Sequence, residues 1–393
     1  MSQSNQTNAA GSVATSDQER TLVGKTPSTS HVLQRAIVVE RVRLFFTPVP
    51  KAGCTSLLWS LAELARLQEK QFAESTGREV TRALVIHDLS RWPDPFRFGK
   101  REPEDREQIQ QASDWLRFTV VRHPFRRLWS AWQSKILLAE PQFIARYSAE
   151  PWFPGPARSA ADVLKAFRQF MDALRADPDL VRADVHWAPQ VDVIEHPSVT
   201  YNHIGHVEKL GETLDRIREH LRTFPAADFT EPARANVSSL PYADELFTEE
   251  DARFLAEMYA DDLREFGYEP PPRDSLSGIP PGSWSAAVEA VMPALEELRL
   301  RHERVADLQL LLKGSEHKAR EADRERKKEK SLRREEHRRN QRLQNRLRKT
   351  TARLEDMRNS RTWRYTAPLR RVGAWVRRLT GREQEKNDLT SEE

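Results

Sequence analysis

Between Arg41 and Tyr268, apolar runs of strand length alternate with longer stretches of helical periodicity, and this alternation narrows the fold more than any other feature of the chain. Arg41–Thr47 (RVRLFFT) stops at Pro48, while ALVIH (83–87) and LRFTVV (116–121) are two further strand candidates. Helical spacing marks 56–70, 126–140, 160–176, 208–222 and 247–263. Strand and helix in turn predict an α/β domain with a mainly parallel sheet flanked by helices, ending near Tyr268.

The flanks read differently. Residues 1–35 are rich in Ser, Thr, Gln and Asn and predict a disordered leader. EPPPRDSLSGIPPGS (269–283) has linker composition. From 284 to 360 the chain is helical and charged. Leu298, Arg301, Val305, Leu308 and Leu312, then Leu343, Leu347, Thr350, Leu354 and Met357, follow 3/4 spacing, which predicts a long solvated helix or a coiled coil able to pair two copies. Residues 361–380 predict a basic amphipathic helix: Leu369, Val372, Val376 and Leu379 share a stripe beside Trp375, with Arg370, Arg371, Arg377 and Arg378 on its polar sides. Such a helix suits an anionic lipid surface, its own domain or a dimer mate. Residues 381–393 predict a disordered tail.

Net charge is +4, but 318–353 alone carries 16 Lys and Arg against 6 Asp and Glu, which leaves the rest of the chain at −6. The basic balance therefore belongs to the tail and gives the folded domain no nucleic-acid signal. The lone cysteine, Cys54, rules out an intramolecular disulfide framework and predicts a reducing compartment. No run has membrane-span length, and the N-terminus lacks the pattern of a secretory signal, so the expected setting is cytoplasmic, on or near the inner membrane face.

Two segments carry chemistry. Phe45 to Ser56 (FFTPVPKAGCTS) runs strand, turn, helix. Backbone N–H groups and the dipole at a helix start attract an anion there. Gly53 permits close approach, Thr55 and Ser56 add hydroxyls, and Lys51 adds charge. The order differs from GxxxxGK[ST], so this is no Walker A loop. An ordinary turn with Thr55 as cap is the alternative. In the second segment, Arg122 follows the strand 116–121 and Ser130 lies on the next helix. An arginine fork and a hydroxyl can clamp one phosphate; equally, Arg122 can cap a helix while Ser130 packs.

In this order the two segments resemble the 5′-phosphosulfate and 3′-phosphate elements of sulfotransferases that use 3′-phosphoadenosine-5′-phosphosulfate (PAPS). The resemblance is to the carbohydrate branch, family 2, with its chondroitin and HNK-1 enzymes. Its PKxGCT and VRxPFxRLxSA patterns stand here as Pro50–Thr55 and Val121–Ala131. His186-Trp187-Ala188-Pro189-Gln190, Ile204–Leu210, Asn236-Val237-Ser238 and Tyr259–Tyr268 resemble later blocks, so the likeness spans 41–268. His123 stands where the family usually has an acidic residue. The membrane anchor and paired cysteines of Golgi members have no counterpart, which implies a bacterial-type, cytoplasmic relative.

The resemblance implies a sulfotransferase fold with a P-loop-like turn and no metal. It assigns Lys51, Ala52, Gly53, Cys54, Thr55 and Ser56 to the 5′-phosphosulfate, with Lys51 stabilising the leaving oxygen, and Arg122 and Ser130 to the 3′-phosphate. The acceptor would be a glycan hydroxyl, with a protein side chain or small metabolite as the second choice. A non-catalytic nucleotide-binding coiled-coil protein is the reading from another class. For the general base, His87 stands first and His186 second, each with a structural hydrogen bond as the alternative. Trp187 offers a stacking surface, Cys54 is a small turn residue, and acceptor contacts are expected in 141–182, around Trp152 and Phe153.

Overall fold

The computed structural model describes residues 30–73, 85–224, 229–230 and 238–379. Its centre is a four-stranded sheet of β1 (Ile37–Val39), β2 (Leu44–Thr47), β3 (Leu116–Val121) and β4 (His203–His206), in that spatial order. β1 and β2 form an antiparallel hairpin, while β2–β3 and β3–β4 are parallel. The registers Leu44↔Leu116 and Val121↔His206 bring the carboxyl ends of β2, β3 and β4 to one edge.

Every residue of β1, β2 and β3 is buried, as continuous apolar runs require in a sheet covered on both faces. Alternate side chains serve the two faces. Leu44, Phe46 and Phe118 pack with Leu57, Leu58 and Leu61 of α1 (Cys54–Leu64), and Phe45 packs with Phe98 and Trp115 on the other side. A third cluster joins α2 (Pro124–Trp132) to α3 (Ala160–Ala176) through Trp129, Trp132 and Phe167. α4 (Leu210–Leu221) lies so close to β4 that a Cβ on Gly205 would fall 1.9 Å from Thr213 Oγ1. α5 (Glu249–Met258) and α6 (Ala260–Phe266) complete the part read as α/β.

The mainly parallel sheet and its flanking helices agree with the sequence reading, and the helix 160–176 has the predicted bounds. Four expectations are corrected. Within ALVIH, residues 83–84 lie outside the described residues, and Ile86–His87 lie in a turn, with Asp88 N bonded to Val85 O. A strand there has no vacant place beside β2, because β1 and β3 occupy both of its edges. β1 went unread because it is only three residues long. The leader orders before its expected end: His31–Arg35 is a short helix capped by Ser30, with Val32 buried. Residues 1–29 and 381–393, for which disorder is expected, lie outside the described residues.

The fourth correction concerns the linker and the long helix. Segment 269–283 is held to the domain by bonds from Gly278 N to Phe247 O and from Arg168 to Gly278 O. α7 (Gly282–Asn359) begins there, and its first turns place Trp284, Val288, Met292 and Leu295 in the core cluster of α2 and α3. The first compact unit therefore runs to Asp307. Periodicity alone did not separate these turns from the charged helix that follows. In the second unit, from Leu308, α7 is solvated and laced with i,i+4 pairs such as Glu316–Arg320 and Glu329–Arg333. After a short helix (Arg361–Tyr365) comes α8 (Ala367–Leu379), whose Leu369, Val372, Trp375 and Val376 are exposed. No helix of the described residues is long and apolar enough to cross a membrane.

Trp284 tests the corrected boundary. Its ring is 4% exposed and its Nε1 donates to Pro241 O. Trp284→Ala is expected to destabilise the full chain by about 3–5 kcal/mol in urea unfolding. A change below about 1 kcal/mol would return the boundary to Tyr268.

Candidate active site

The turn after β2 is shaped by two residues in the left-handed region, Lys51 at φ 68° and Gly53 at φ 74°, on either side of Ala52. Such alternation turns successive N–H groups toward one point. α1 starts directly after Gly53, and no side chain caps it. Cys54, Thr55 and Ser56 form its buried first turn. Burial raises the Cys54 thiol pKa, so the side chain stays protonated and fills space, as the sequence reading had it.

Arg127 holds this turn in place. Its side chain is 1% exposed, and Nε donates to Pro50 O at 3.0 Å, Nη1 to Ala188 O at 2.7 Å and Nη2 to Val185 O at 2.5 Å. One guanidinium thus joins α2, the turn and the segment carrying His186. Gln190 makes the next link: its Oε1 accepts from Arg122 N at 2.9 Å and its Nε2 donates to Arg122 O at 2.8 Å. Asp262 of α6 accepts from the backbone N–H groups of Gln190 and Val191, each at 2.9 Å. The sequence reading singled out none of these three for a role. Arg127, Gln190 and Asp262 all lie inside the quoted motifs, and that was the available signal.

Arg122 and Lys51 stand next to each other, with Arg122 Nη1 donating to Lys51 O at 3.2 Å. Lys51 Nζ donates to Ser134 Oγ at 3.0 Å. Both side chains are half-buried, and neither forms an ion pair with any described residue. Burial, and then the nearby Lys135 charge, lower the Lys51 pKa to about 8. Ser130 Oγ lies 2.9 Å from Ser238 Oγ, on the last of the Asn236-Val237-Ser238 block; the first two lie outside the described residues. Two half-buried cations with no ion-pair partner among the described carboxylates, beside an uncapped helix start, have the charge and the donors that suit a polyanion. His123 donates from Nε2 to Glu269 O, and its backbone N–H bonds Glu208.

The two histidines differ in partner. His87 Nε2 is 2.8 Å from Thr55 Oγ1, and burial, followed by the Lys135 and Arg35 charges, takes its pKa down to about 3. His186 Nδ1 is 2.6 Å from Asp184 Oδ1. A carboxylate only accepts, so Nδ1 carries the proton and Nε2 of the neutral ring is the base. Burial lowers the His186 pKa against the opposing Asp184 bond, so the ring is neutral at pH 7. Trp187 is corrected: it is wholly buried, with Nε1 on Leu180 O, and offers no stacking face. Trp152 and Phe153 are half-buried against the main core cluster.

Residues 34–269 match the model of the sulfotransferase family. The chain belongs to that family. It is 27% identical over 268 residues to carbohydrate sulfotransferase 10 of Xenopus laevis, covering 61% of this chain and 69% of that one. The human carbohydrate sulfotransferase 10 is 27% identical over 273 residues, 63% of this chain and 70% of its own. Human carbohydrate sulfotransferase 14 is 26% identical over 208 residues, 52% and 50% of the two chains. No solved structure matches significantly. As a sulfotransferase, the chain presents its turn, Lys51 and Arg122 within the matched span, and its carboxyl sheet edge is where ligands of open α/β sheets bind.

The Lys51 environment sets a pH dependence. A bound polyanion favours the ammonium and raises its pKa above about 8. Affinity for 3′-phosphoadenosine-5′-phosphate is therefore expected to be full well below pH 8 and to fall as pH rises past it, with proton uptake on binding near pH 8 as the expected companion. In Lys51→Arg, where the charge persists, the fall is expected to vanish. Calorimetry in buffers of different ionisation enthalpy reads both effects.

Proposed function

We propose that this sulfotransferase moves the sulfuryl group of PAPS to a hydroxyl of a carbohydrate. The observation that carries the reading is the pair of half-buried cations, Lys51 and Arg122, unpaired with any described carboxylate at the start of α1. PAPS supplies an activated sulfuryl group next to a 5′-phosphate, and a separate 3′-phosphate. The turn from Lys51 to Ser56 suits the first in shape and charge; Arg122 and Ser130 suit the second. Lys51 neutralises negative charge that grows on the leaving oxygen during an in-line displacement. No group of three or more possible metal ligands occurs among the described residues.

His186, rather than His87, is the proposed general base. His87 is tied to Thr55 and is too weakly basic near neutral pH. Asp184 orients His186 and leaves Nε2 to take the acceptor proton. The carbohydrate acceptor follows from the names of the relatives, carbohydrate sulfotransferases 10 and 14. A cytoplasmic setting remains part of the proposal. So does contact of α8 with anionic lipid, supported by its exposed Leu369, Val372, Trp375 and Val376 beside four arginines. Pairing of two copies along the tail is supported by the unburied leucines of α7, among them Leu343, Leu347 and Leu354.

The test uses the full chain. 3′-Phosphoadenosine-5′-phosphate is expected to bind in the micromolar range, and Lys51→Ala and Arg122→Ala each to weaken it at least tenfold. With labelled PAPS and a glycan panel, His186→Gln is expected to lower transfer by about 10²–10⁴ at unchanged nucleotide affinity, and His87→Gln by far less. A folded chain that binds no nucleotide would sink the reading. Equal losses for the two histidines would withdraw the choice of base.

A further inference from the structure

α2 ends in a π-helical turn, Gln133–Leu137, next to Lys51 through Ser134. Wide turns of this kind occur mostly at functional places in helices. This one is pinned at its start: Gln133 is buried, its Oε1 accepts from Leu240 N at 2.8 Å, and its Nε2 faces Leu240 O. Ser134, next along, accepts the Lys51 ammonium. Lys135 turns inward and pairs with Glu140, both side chains about one-tenth exposed. Glu140 is held in turn. Its second oxygen accepts from Gln142 at 2.9 Å, and its carbonyl accepts from Phe143 N at 2.7 Å. The Lys135 ammonium lies 5.6 Å from the centre of the Phe143 ring, and the His186 ring meets the same ring edge-on at 5.5 Å.

A buried ion pair is a weak source of stability, because desolvation offsets most of its attraction. Its place here points to another use. One short segment touches Lys51 through Ser134 and His186 through Phe143. The two groups have opposite needs at one pH, since Lys51 has to be charged and His186 uncharged. The pair acts on both: Lys135 opposes protonation of Lys51 and of His186, and Glu140 favours it at each. The other groups facing His186 are Asp184 on its own segment, His31 of the N-terminal helix and His87, with Arg146 reaching it through Asp184. Lys51 also feels Cys54 and Arg122.

We propose that Lys135 and Glu140 are positioning residues of the transfer site: their ion pair locks the π turn so that Ser134 holds Lys51 and Phe143 seats His186, and the two opposite charges offset each other there. The inference rests on the reading of Lys51 and His186 given above. It adds a segment that no motif of the sequence reading named for a role.

The signs of the field test whether both charges act at His186 and offset each other there. The probe is the imidazole carbon resonance of His186 in histidine-labelled full chain, assigned with His186→Gln and followed against pH. Lys135→Met removes the cation and leaves Glu140, so His186 is expected to titrate at a higher pH. Glu140→Gln removes the anion and leaves Lys135, so His186 is expected to titrate lower. Each midpoint is expected to move by at least about half a pH unit. Lys135→Met/Glu140→Gln removes both charges, is expected to restore the midpoint and keeps the site free of a lone buried charge. Lys135→Arg is expected to behave as the parent chain.

Midpoints that stay put, or that move the same way in both single variants, overturn the inference even if stability falls. If Lys135→Met fails to fold, Glu140→Gln and the double variant decide alone: a downward move that the double variant reverses supports the inference, and any other pattern overturns it. Calorimetry of 3′-phosphoadenosine-5′-phosphate on the parent chain runs beside the titration. Binding there with no opposed shifts removes the inference and leaves the transferase reading. No binding removes the reading, and the inference with it.

Discussion

The site depends on one buried guanidinium. Arg127 donates to carbonyls of Pro50, Val185 and Ala188, which belong to two segments far apart in sequence. Carbonyls in turns have no ladder partner, and burying them unbonded costs about 1–3 kcal/mol each. Arginine is the side chain whose planar, permanently charged fork meets three of them at once. The charge comes with it, and burial opposes that charge. Three hydrogen bonds to a cation are the compensation, and the geometry they impose sets the distance between the anion turn and the His186 segment. Lys51, Arg122 and His186 are thereby arranged before any ligand arrives.

From that arrangement the electrostatics follow. Four cations, Lys51, Arg122, Arg127 and Lys135, lie around the turn, with Glu140 bound to Lys135, Asp262 and Asp184 acting on Arg127 and Glu208 acting on Arg122. Lys51 and Arg122 have no ion-pair contact with a described carboxylate, so under the proposed reading theirs is the charge left for a ligand's anion, in the manner expected of preorganised sites.

Much of this was legible beforehand, and the reasons differ by element. β2 and β3 announced themselves because a strand covered on both faces is mostly apolar, as Phe45-Phe46 and Val120-Val121 are, although Thr47, Arg117 and Thr119 are buried with them. The anion turn was legible because it needs a residue at positive φ before a helix, and Gly53 supplies one. Val85-Ile86-His87, the described part of ALVIH, has a strand's composition yet no place beside β2, whose two edges β1 and β3 occupy, and composition carries no record of edges. The start of α7 misled in the opposite way. Trp284, Val288, Met292 and Leu295 have the spacing of a solvated amphipathic helix, and only the partner surface on α2 and α3 turns them into core. Arg127 and Gln190 sat inside quoted motifs, yet nothing in their identity distinguishes a guanidinium that binds substrate from one that binds backbone.

The choice between the two histidines shows the same limit at the level of chemistry. His87 and His186 are both half-buried, both near Lys135, and both less basic than a free imidazole. What separates them is the atom each ring faces. A hydroxyl, as at Thr55, can donate or accept, so it leaves the tautomer of His87 open and, being neutral, stabilises an imidazolium less than a carboxylate does. A carboxylate accepts only. Asp184 therefore fixes the proton of His186 on Nδ1, leaves the lone pair on Nε2, and stabilises the cation that forms when that lone pair takes a proton. Asp184 stands two residues before His186, within the segment whose carbonyls Arg127 grips, so the contact that sets the turn also sets the place of the His186 ring.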